Sequence, residues 1–488
     1  MADNSLPKLS NFINNQFVAP QKGEYLDNFD PSTGQVYSYV PKSSQEDVDD
    51  AVRAAKAAFP SWSASSPDTR SAVMLRIADI LESRLQEFAE AESRDQGKPI
   101  TLAKSVDIPR SVHNFRFFAT SILHQETKST IINAPQRCVN YTLREPIGVA
   151  GLISPWNLPL YLLSWKIAPA IAMGNTCVCK PSEMTSMTAY MLGEVLVAAG
   201  LPAGVVNIVF GDGAGAGSAL TNHPDVPLIS FTGGTATSEH IIHASAKEKK
   251  KLSLELGGKN PTIIFADADL DKCLATSVLS SFANQGEICL CGSRMYVHAD
   301  IYDEFIKRFV EKVEAFKIGD PKENGTNVGA LVSEQHLQNV EKYIAIALKD
   351  GGKALTGGKR VQVSDRCKNG YFLPPTILVD VPQCSRSIQE EIFGPVVTIS
   401  KFSSDDEVVA LANGVCYGLA AIVWTENVRK AHTIAHRVQA GTVWVNCWMR
   451  RDLRMPFGGG KQSGIGREGQ EDSLDFFTEQ KVVCVALE

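Results

Sequence analysis

IGVAGLISPWNLPLYLLSWKIAPAIAMG, residues 147–174, is apolar enough to invite a membrane-spanning reading. A spanning helix needs about 20 apolar residues with few or no charges. Here Pro155, Pro159 and Pro169 interrupt the run, and Asn157 and Lys166 sit inside it. The stretch reads instead as a buried strand, a polar-tipped turn and a buried helix. Outward from it the alternation continues. TCVCK (176–180) reads as a strand and TAYMLGEVLVAAG (188–200) as a helix ended by Gly200. VVNIVF (205–210) is a strand running into the glycine-rich GDGAGAG, and PLISFTG (227–233) and PTIIF (261–265) are further strands. A second set follows: TSVLSSFANQG as a helix, RMYVHADI as a strand and residues 302–316 as an amphipathic helix. GLAAIVWT (418–425), AHTIAHRVQA (431–440) and GTVWVN (441–446) carry it on. Strands alternating with helices imply βαβ units and parallel sheets. The fold class is therefore α/β, with two lobes of similar size. Residues 129–148 and 478–487 alternate in a β manner outside both lobes. They form either a small sheet within the chain or an edge that pairs with a second chain.

With 488 residues, the chain is expected to fold as about three domains or lobes. Hydrophobic residues make up 44% and charged ones 21%, which excludes a disordered or low-complexity protein. Lys plus Arg is 48 and Asp plus Glu is 54, a formal charge of −6. Nucleic-acid binders carry a basic face, so no nucleic-acid partner is expected. The first residues, MADNSLPKLSNF, have neither an apolar signal core nor the Arg-rich character of a transit peptide. A soluble, cytoplasmic protein without a membrane partner is the expectation. The 11 cysteines are too dilute for a disulfide framework, and the C-x-C pairs Cys177/Cys179 and Cys289/Cys291 lack nearby His partners. No metal site is expected.

Three short stretches carry residues suited to chemistry. Cys289 in FANQGEICLC (282–291) follows a helix-like run and a turn at Gly286, a glycine that lets backbone approach a ligand closely. The bland alternative is a cysteine that merely packs, the usual fate of a free thiol. Glu255 in LELGGKNP (254–261) is a carboxylate between Leu254 and Leu256 at a buried strand end, costly unless it has a partner or a task. Asn157 in SPWNLP (154–159) places an amide at the tip of an apolar turn, where it can donate to a developing oxyanion. Together they supply a nucleophile, a base and an oxyanion donor.

PWNLPL, KPSE (180–183), LELGGKNP, FANQGEIC, EEIFGPV (390–396) and PFGGGKQSGIGREG (456–469) occur in that order. Motif for motif, over essentially the whole length, the chain resembles the NAD(P)-dependent aldehyde dehydrogenase superfamily. The resemblance implies two Rossmann-like parallel-sheet lobes, one for the cofactor and one catalytic, with a small β oligomerisation subdomain. The implied NAD-binding domain is 1–126 with 147–257, and the catalytic domain is 258–472. Strands in 127–146 and 473–488 would build a homodimer or homotetramer. The implied chemistry is oxidation of an aldehyde to an acid through a thioester on Cys289. Asn157 would hold the oxyanion and Glu255 would be the base for hydrolysis; Cys291 is the rival sulfur. Lys180 and Glu183 would grip the adenosine ribose, with Glu391 and Phe393 at the nicotinamide ribose and Trp156 and Gly233 as further cofactor contacts. A carboxylate at Glu183 would repel a 2′-phosphate, which favours NAD over NADP. Gly234, Ser238 and Glu287 depart from residues common in the family, and GDGAGAG fits a dinucleotide fingerprint only loosely.

Where such enzymes line the substrate tunnel with apolar groups, this chain offers Arg110 in DIPRSVHNFRFFA (107–119) and Arg451 in NCWMRRDLRMPFGG (446–459). Arginine suits bidentate carboxylate recognition, although solvated arginines are the plainer reading. An anionic semialdehyde is expected first. FANQGEICLC, SWKIAP and DIPRSVHNFRFFA are similar to enzymes that oxidise 2-aminomuconate 6-semialdehyde in tryptophan catabolism through kynurenine. Retinal and simple aliphatic aldehydes are the rival substrates. A family member serving as a structural, cofactor-binding protein is the reading from another class, and intact Cys289, Glu255, Asn157 and Glu391 argue against it.

Overall fold

The computed structural model describes residues 6–363 and 365–487. Every residue of the strand Val149–Ile153 is buried, as a central parallel strand requires. Its neighbours are Thr176–Lys180 on one side and Leu228–Thr232 on the other, both parallel. Val206–Ile208 and Lys251–Glu255 extend the sheet outward in the same sense. The five strands thus lie in the order third, second, first, fourth, fifth, and the order reverses between Val149–Ile153 and Leu228–Thr232. Ligands bind in α/β sheets outside the carboxyl ends of strands at such a reversal. Short antiparallel strands complete both sides: the hairpin of Asn11–Ile13 and Gln16–Val18 on one, Gly464–Ile465 on the other.

The helix Pro159–Ala172 explains the apolar run. Pro159 sits in its first turn, where no N–H is needed, and nearly the whole helix is buried. A helix apolar all round belongs in a core. No helix among the described residues is long and apolar enough to cross a membrane. The helix Met187–Ala198 ends where Gly200 takes a left-handed φ of 73°.

The second sheet has six parallel strands: Pro261–Ile264, Arg294–His298, Thr376–Val379, Val396–Phe402, Ala420–Trp424 and Thr442–Val445. The helix expected through FANQG stops earlier than its sequence suggests. Leu270–Phe282 is helical, and Asn284 and Gln285 then turn left-handed at φ 52° and 56°. Gly286 is glycine for a different reason from ligand approach: a Cβ there would lie 2.2 Å from the Gly394 carbonyl oxygen. The close approach is chain on chain.

The two β segments outside the lobes meet within one chain. Thr478–Ala486 pairs antiparallel with Cys138–Pro146, which pairs with Ser129–Ile132. This three-stranded sheet exposes Ile131 (63%) and Val482 (67%), so apolar side chains of it remain uncovered.

Candidate active site

Cys289 lies on a loop held through its backbone. Asn260 Nδ2 donates to the carbonyls of Cys289 and Cys291 at 2.7 and 2.9 Å, and Asn260 Oδ1 accepts from the Ala420 N–H at 3.0 Å. Trp448 Nε1 donates to the Leu290 carbonyl between them at 3.0 Å. Cys291 is buried in the core of the second lobe, whereas Cys289 keeps exposed surface and lines a cleft. Burial pushes the Cys291 thiol up to about 12. It raises Cys289 too, with Glu391 and Glu255 adding and Arg451 opposing. Cys289 therefore rests as a thiol.

Glu255 ends its strand in the same cleft. It is buried, its Oε1 has no hydrogen-bond partner, and a Cβ on Gly458 would come within 2.7 Å of that oxygen. Burial first and Glu468 second push its carboxyl well up, against Lys166, Arg451 and Arg467. Asn157 reaches the Cys289 loop from the turn before Pro159–Ala172. Its Nδ2 donates to the Glu287 carbonyl at 2.9 Å, and its own carbonyl accepts from Lys98 Nζ and Asn284 Nδ2, both at 3.0 Å.

Tyr161, Leu162, Trp165, Met449, Phe457 and Arg451 line the cleft around Cys289 and Glu255. The Arg451 guanidinium lies 3.6 Å from the Phe457 ring centre and 5.5 Å from that of Trp165. Arg110 is not on the cleft lining itself; it covers Tyr161 at 5.1 Å and Trp165 at 5.8 Å. Its Nε donates to Asn114 at 3.1 Å, while its Nη2 is buried without a partner.

At the carboxyl end of Thr176–Lys180, one strand from the reversal of the first sheet, Lys180 Nζ donates to Glu183 Oε2 at 3.1 Å. Gly233 follows the strand Leu228–Thr232, and a Cβ there would strike the Phe231 ring at 2.4 Å. The next helix, Thr235–Ala246, starts at Gly234 with no side-chain cap, and the space at Gly234 is open. Free N–H groups at a helix N-terminus beside an open glycine suit a pyrophosphate. GDGAGAG is used elsewhere, as a π-helical turn over Gly213–Gly217 whose N-cap Asp212 accepts from the Gly215 N–H at 2.6 Å. Across the crevice Glu391 Oε1 accepts from the Gly258 N–H at 2.9 Å, and burial lifts its carboxyl to about 7. Trp156 meets Phe393 edge-on at 5.2 Å. These groups fit a dinucleotide held with its reactive end toward Cys289.

The model of the aldehyde dehydrogenase family matches residues 17–483. The chain belongs to the aldehyde dehydrogenase family. It is 56% identical to the 2-aminomuconic semialdehyde dehydrogenase of Danio rerio over 479 residues, 98% of each chain. To that of Homo sapiens it is 54% identical over 484 residues, 99% of each. An NAD+ complex of the Bacillus cereus aldehyde dehydrogenase superposes with a TM-score of 0.95 at 39% identity, covering 99% of this chain and 97% of that one.

Several groups in this aldehyde dehydrogenase escaped the sequence reading. Glu468 accepts from Trp165 Nε1 at 2.5 Å and from Lys166 Nζ at 3.3 Å, and Lys166 also donates to Ser230 at 2.9 Å. A buried lysine and acid thus stand behind Glu255. Lys166 was visible as a charge in an apolar run, which is the signal that could have found it. Asn260 carried a weaker one, following a glycine pair at a strand start.

Proposed function

We propose that this aldehyde dehydrogenase oxidises a carboxylate-bearing semialdehyde, 2-aminomuconate 6-semialdehyde foremost, to its acid with NAD as the hydride acceptor. The observation that carries the substrate class is the orphaned, buried Nη2 of Arg110 with Arg451 over the same Trp165 ring. A buried arginine donor without a partner, packed on the same ring as the cleft-lining Arg451, calls for an anion. The names of the relatives above agree.

The steps follow from the residues. Cys289 Sγ gives up its proton to solvent in the cleft and adds to the aldehyde carbon, and the resulting oxyanion accepts from the Asn157 side-chain amide. When bound, the nicotinamide takes the hydride, leaving a thioester on Cys289. Water then attacks this thioester and expels the Cys289 thiolate, which is reprotonated from solvent, releasing the acid while Glu255 takes the proton that the water gives up. Glu468 and Lys166 offer that proton an onward path. Lys180 and Glu183 hold the adenosine ribose, Gly233 opens the way to the pyrophosphate, and Glu391, Phe393 and Trp156 bracket the nicotinamide ribose.

The test is kcat/KM for an anionic semialdehyde and a neutral aldehyde of similar length. Arg110→Ala is expected to lose about ten- to a hundredfold on the anion, the worth of a hydrogen bond to a charged group, and to spare the neutral substrate, whereas Arg451→Ala, which also removes a positive charge that opposes the rise of Cys289 and Glu255, loses on both and about ten- to a hundredfold more on the anion. Arg450 is exposed and Arg454 pairs with Asp452 at 2.5 Å, so both serve as controls. Equal losses on both substrates would sink the carboxylate clamp, and retinal as the better substrate would replace the semialdehyde.

Cofactor choice gives a second expectation. With Glu183 beside the ribose, kcat/KM favours NAD over NADP by at least about tenfold, or roughly 1.4 kcal/mol, and Glu183→Gln narrows the gap. Comparable values for the two cofactors in the unaltered enzyme would defeat it. We assign homo-oligomer formation to the three-stranded sheet with its uncovered Ile131 and Val482. All 11 cysteines are free, which suits a reducing compartment such as the cytoplasm.

A further inference from the structure

Asn157 and Leu158 are buried, and their turn brings no cap of its own: Leu158, at the N-cap of Pro159–Ala172, makes no side-chain hydrogen bond there. Buried backbone groups need partners, and two come from the helix Leu85–Gln96 and the residues just after it. Glu92 Oε1 accepts from the Leu160 N–H at 3.3 Å, and Lys98 Nζ donates to the Asn157 carbonyl at 3.0 Å. Lys98 is wholly buried, and so is Asp107, whose Oδ2 accepts from the same Nζ. Asp107 Oδ1 has no partner, so this carboxylate is committed to Lys98. Asp107 closes the π turn Ala103–Asp107, a rare form of helix that recurs at functional sites. A buried ammonium and carboxylate are costly to desolvate, and apolar residues in their place often hold a core as well or better. Stability alone does not account for this pair, and the steps above use neither residue.

We propose that Lys98 is a positioning residue for the oxyanion step. Held by Asp107, its ammonium fixes the Asn157 carbonyl and with it the direction of the Asn157 side-chain amide. The Cys289 loop grips the same residue from the other side. Asn284 Nδ2 donates to the Asn157 carbonyl at 3.0 Å, and Asn157 Nδ2 donates to the Glu287 carbonyl at 2.9 Å. One Nδ2 hydrogen is spent on that bond, and the other is left for the oxyanion. Without Lys98 the Asn157 carbonyl would be held by the Cys289 loop alone. With it, the amide is fixed to the first lobe while the thiol arrives from the second. Asp107 also begins the helix Ile108–Ser121, in which Asn114 Nδ2 donates to the Tyr161 carbonyl at 3.1 Å. That helix is therefore tied to the Asn157 segment at two places, and the amide has little freedom to swing. The inference rests on reading Cys289 and Asn157 as nucleophile and oxyanion donor.

In Lys98→Met/Asp107→Leu both charges give way to apolar side chains of similar size, so the fold and its melting temperature are expected to hold. Its kcat with NAD and a neutral aldehyde, hexanal, is expected about 10- to 100-fold lower, the scale of a small misplacement of reacting groups, with KM for NAD within about twofold. Hexanal has no carboxylate, so Arg110 plays no part in the outcome. Asn157→Ala is itself slower by about 10²–10³, the worth of one oxyanion donor. In that background the paired change costs less than about threefold, because it acts only through the amide already lost. A pair that merely braced the core would cost the same in both backgrounds. If the paired variant fails to fold, Lys98→Gln, one atom shorter and uncharged, carries the same cycle. Unaltered kcat in the paired variant beside a slow Asn157→Ala would overturn the inference. So would an equal loss with and without the Asn157 amide. Full activity in Asn157→Ala would instead sink the reading of the oxyanion donor beneath it.

Discussion

In Cys289→Ala, aldehyde oxidation falls by a factor on the order of 10⁵–10⁶, the scale seen when a covalent nucleophile is removed, while NAD still raises the melting temperature. The fold should tolerate the change because the loop is held by its backbone. Asn260 bonds the carbonyls of Cys289 and Cys291, and Trp448 bonds that of Leu290. None of these contacts involves Sγ. The proposed cofactor crevice around Lys180, Glu183 and Glu391 is likewise untouched. Cys291 cannot substitute, because it packs in the second-lobe core rather than on the cleft. NADH formation, acyl-adduct mass and thermal shift are the measurements. Turnover that survives in Cys289→Ala and disappears in Cys291→Ala would hand the role to the other sulfur. Stabilisation by NAD with no turnover in the unaltered protein would make it a structural cofactor binder.

Glu255→Gln stalls after one hydride per site, with kcat down by about 10²–10⁴, the usual contribution of a positioned base. Glutamine keeps the shape, and Oε1 has no hydrogen bond to lose. What it lacks is a site to take the proton from water, so the thioester on Cys289 accumulates and mass spectrometry finds it. The pH dependence has a definite sign. Burial and Glu468 raise Glu255, with Lys166, Arg451 and Arg467 opposing. Its basic form therefore grows only as pH climbs through that raised value, and deacylation climbs with it. Glu255→Gln flattens this acid limb. Absence of first-turnover NADH would mean that Glu255 acts earlier, as the acceptor for the Cys289 thiol proton.

How much of this was legible depended on how local its cause was. Residues 147–174 could be read because three prolines and a lysine broke an apolar run, and the burial of Pro159–Ala172 on nearly all sides explains the run itself. Glycine-bearing motifs were readable because backbone approach demands glycine: a Cβ on Gly257 would lie 2.2 Å from Glu391 Oε2. The helices Gln45–Ser63, Pro67–Ser83 and Leu85–Gln96 went unread, although Ser44 with Asp47, and Ser66 before Pro67, mark two of their starts. They carry no chemistry to draw the eye. Other features had no local cause to read. Trp165 and Glu468 meet across 303 positions and Gln96 and Glu287 across 191, so only packing of the whole chain sets these pairs. The role of Gly286 was misread for the same reason, since its neighbour Gly394 lies far along the chain.

The three-stranded sheet also sets a timetable. Cys138–Pro146 receives its partner Thr478–Ala486 only when some 330 further residues have been made. At a synthesis rate of about 5–20 residues per second this is a wait of roughly 15–65 s. Throughout it the strand's pairing edge stands open on the nascent chain, next to every other nascent chain on the same message. Gly464–Ile465, which pairs with the end of Lys251–Glu255, and Glu468, which stands behind Glu255, arrive in the same late stretch. Chains stalled on the ribosome before that point hold the nucleophile loop but not the closed site around it, so active enzyme is made only after synthesis has passed residue 468, and a chaperone that shields a strand edge has its moment here.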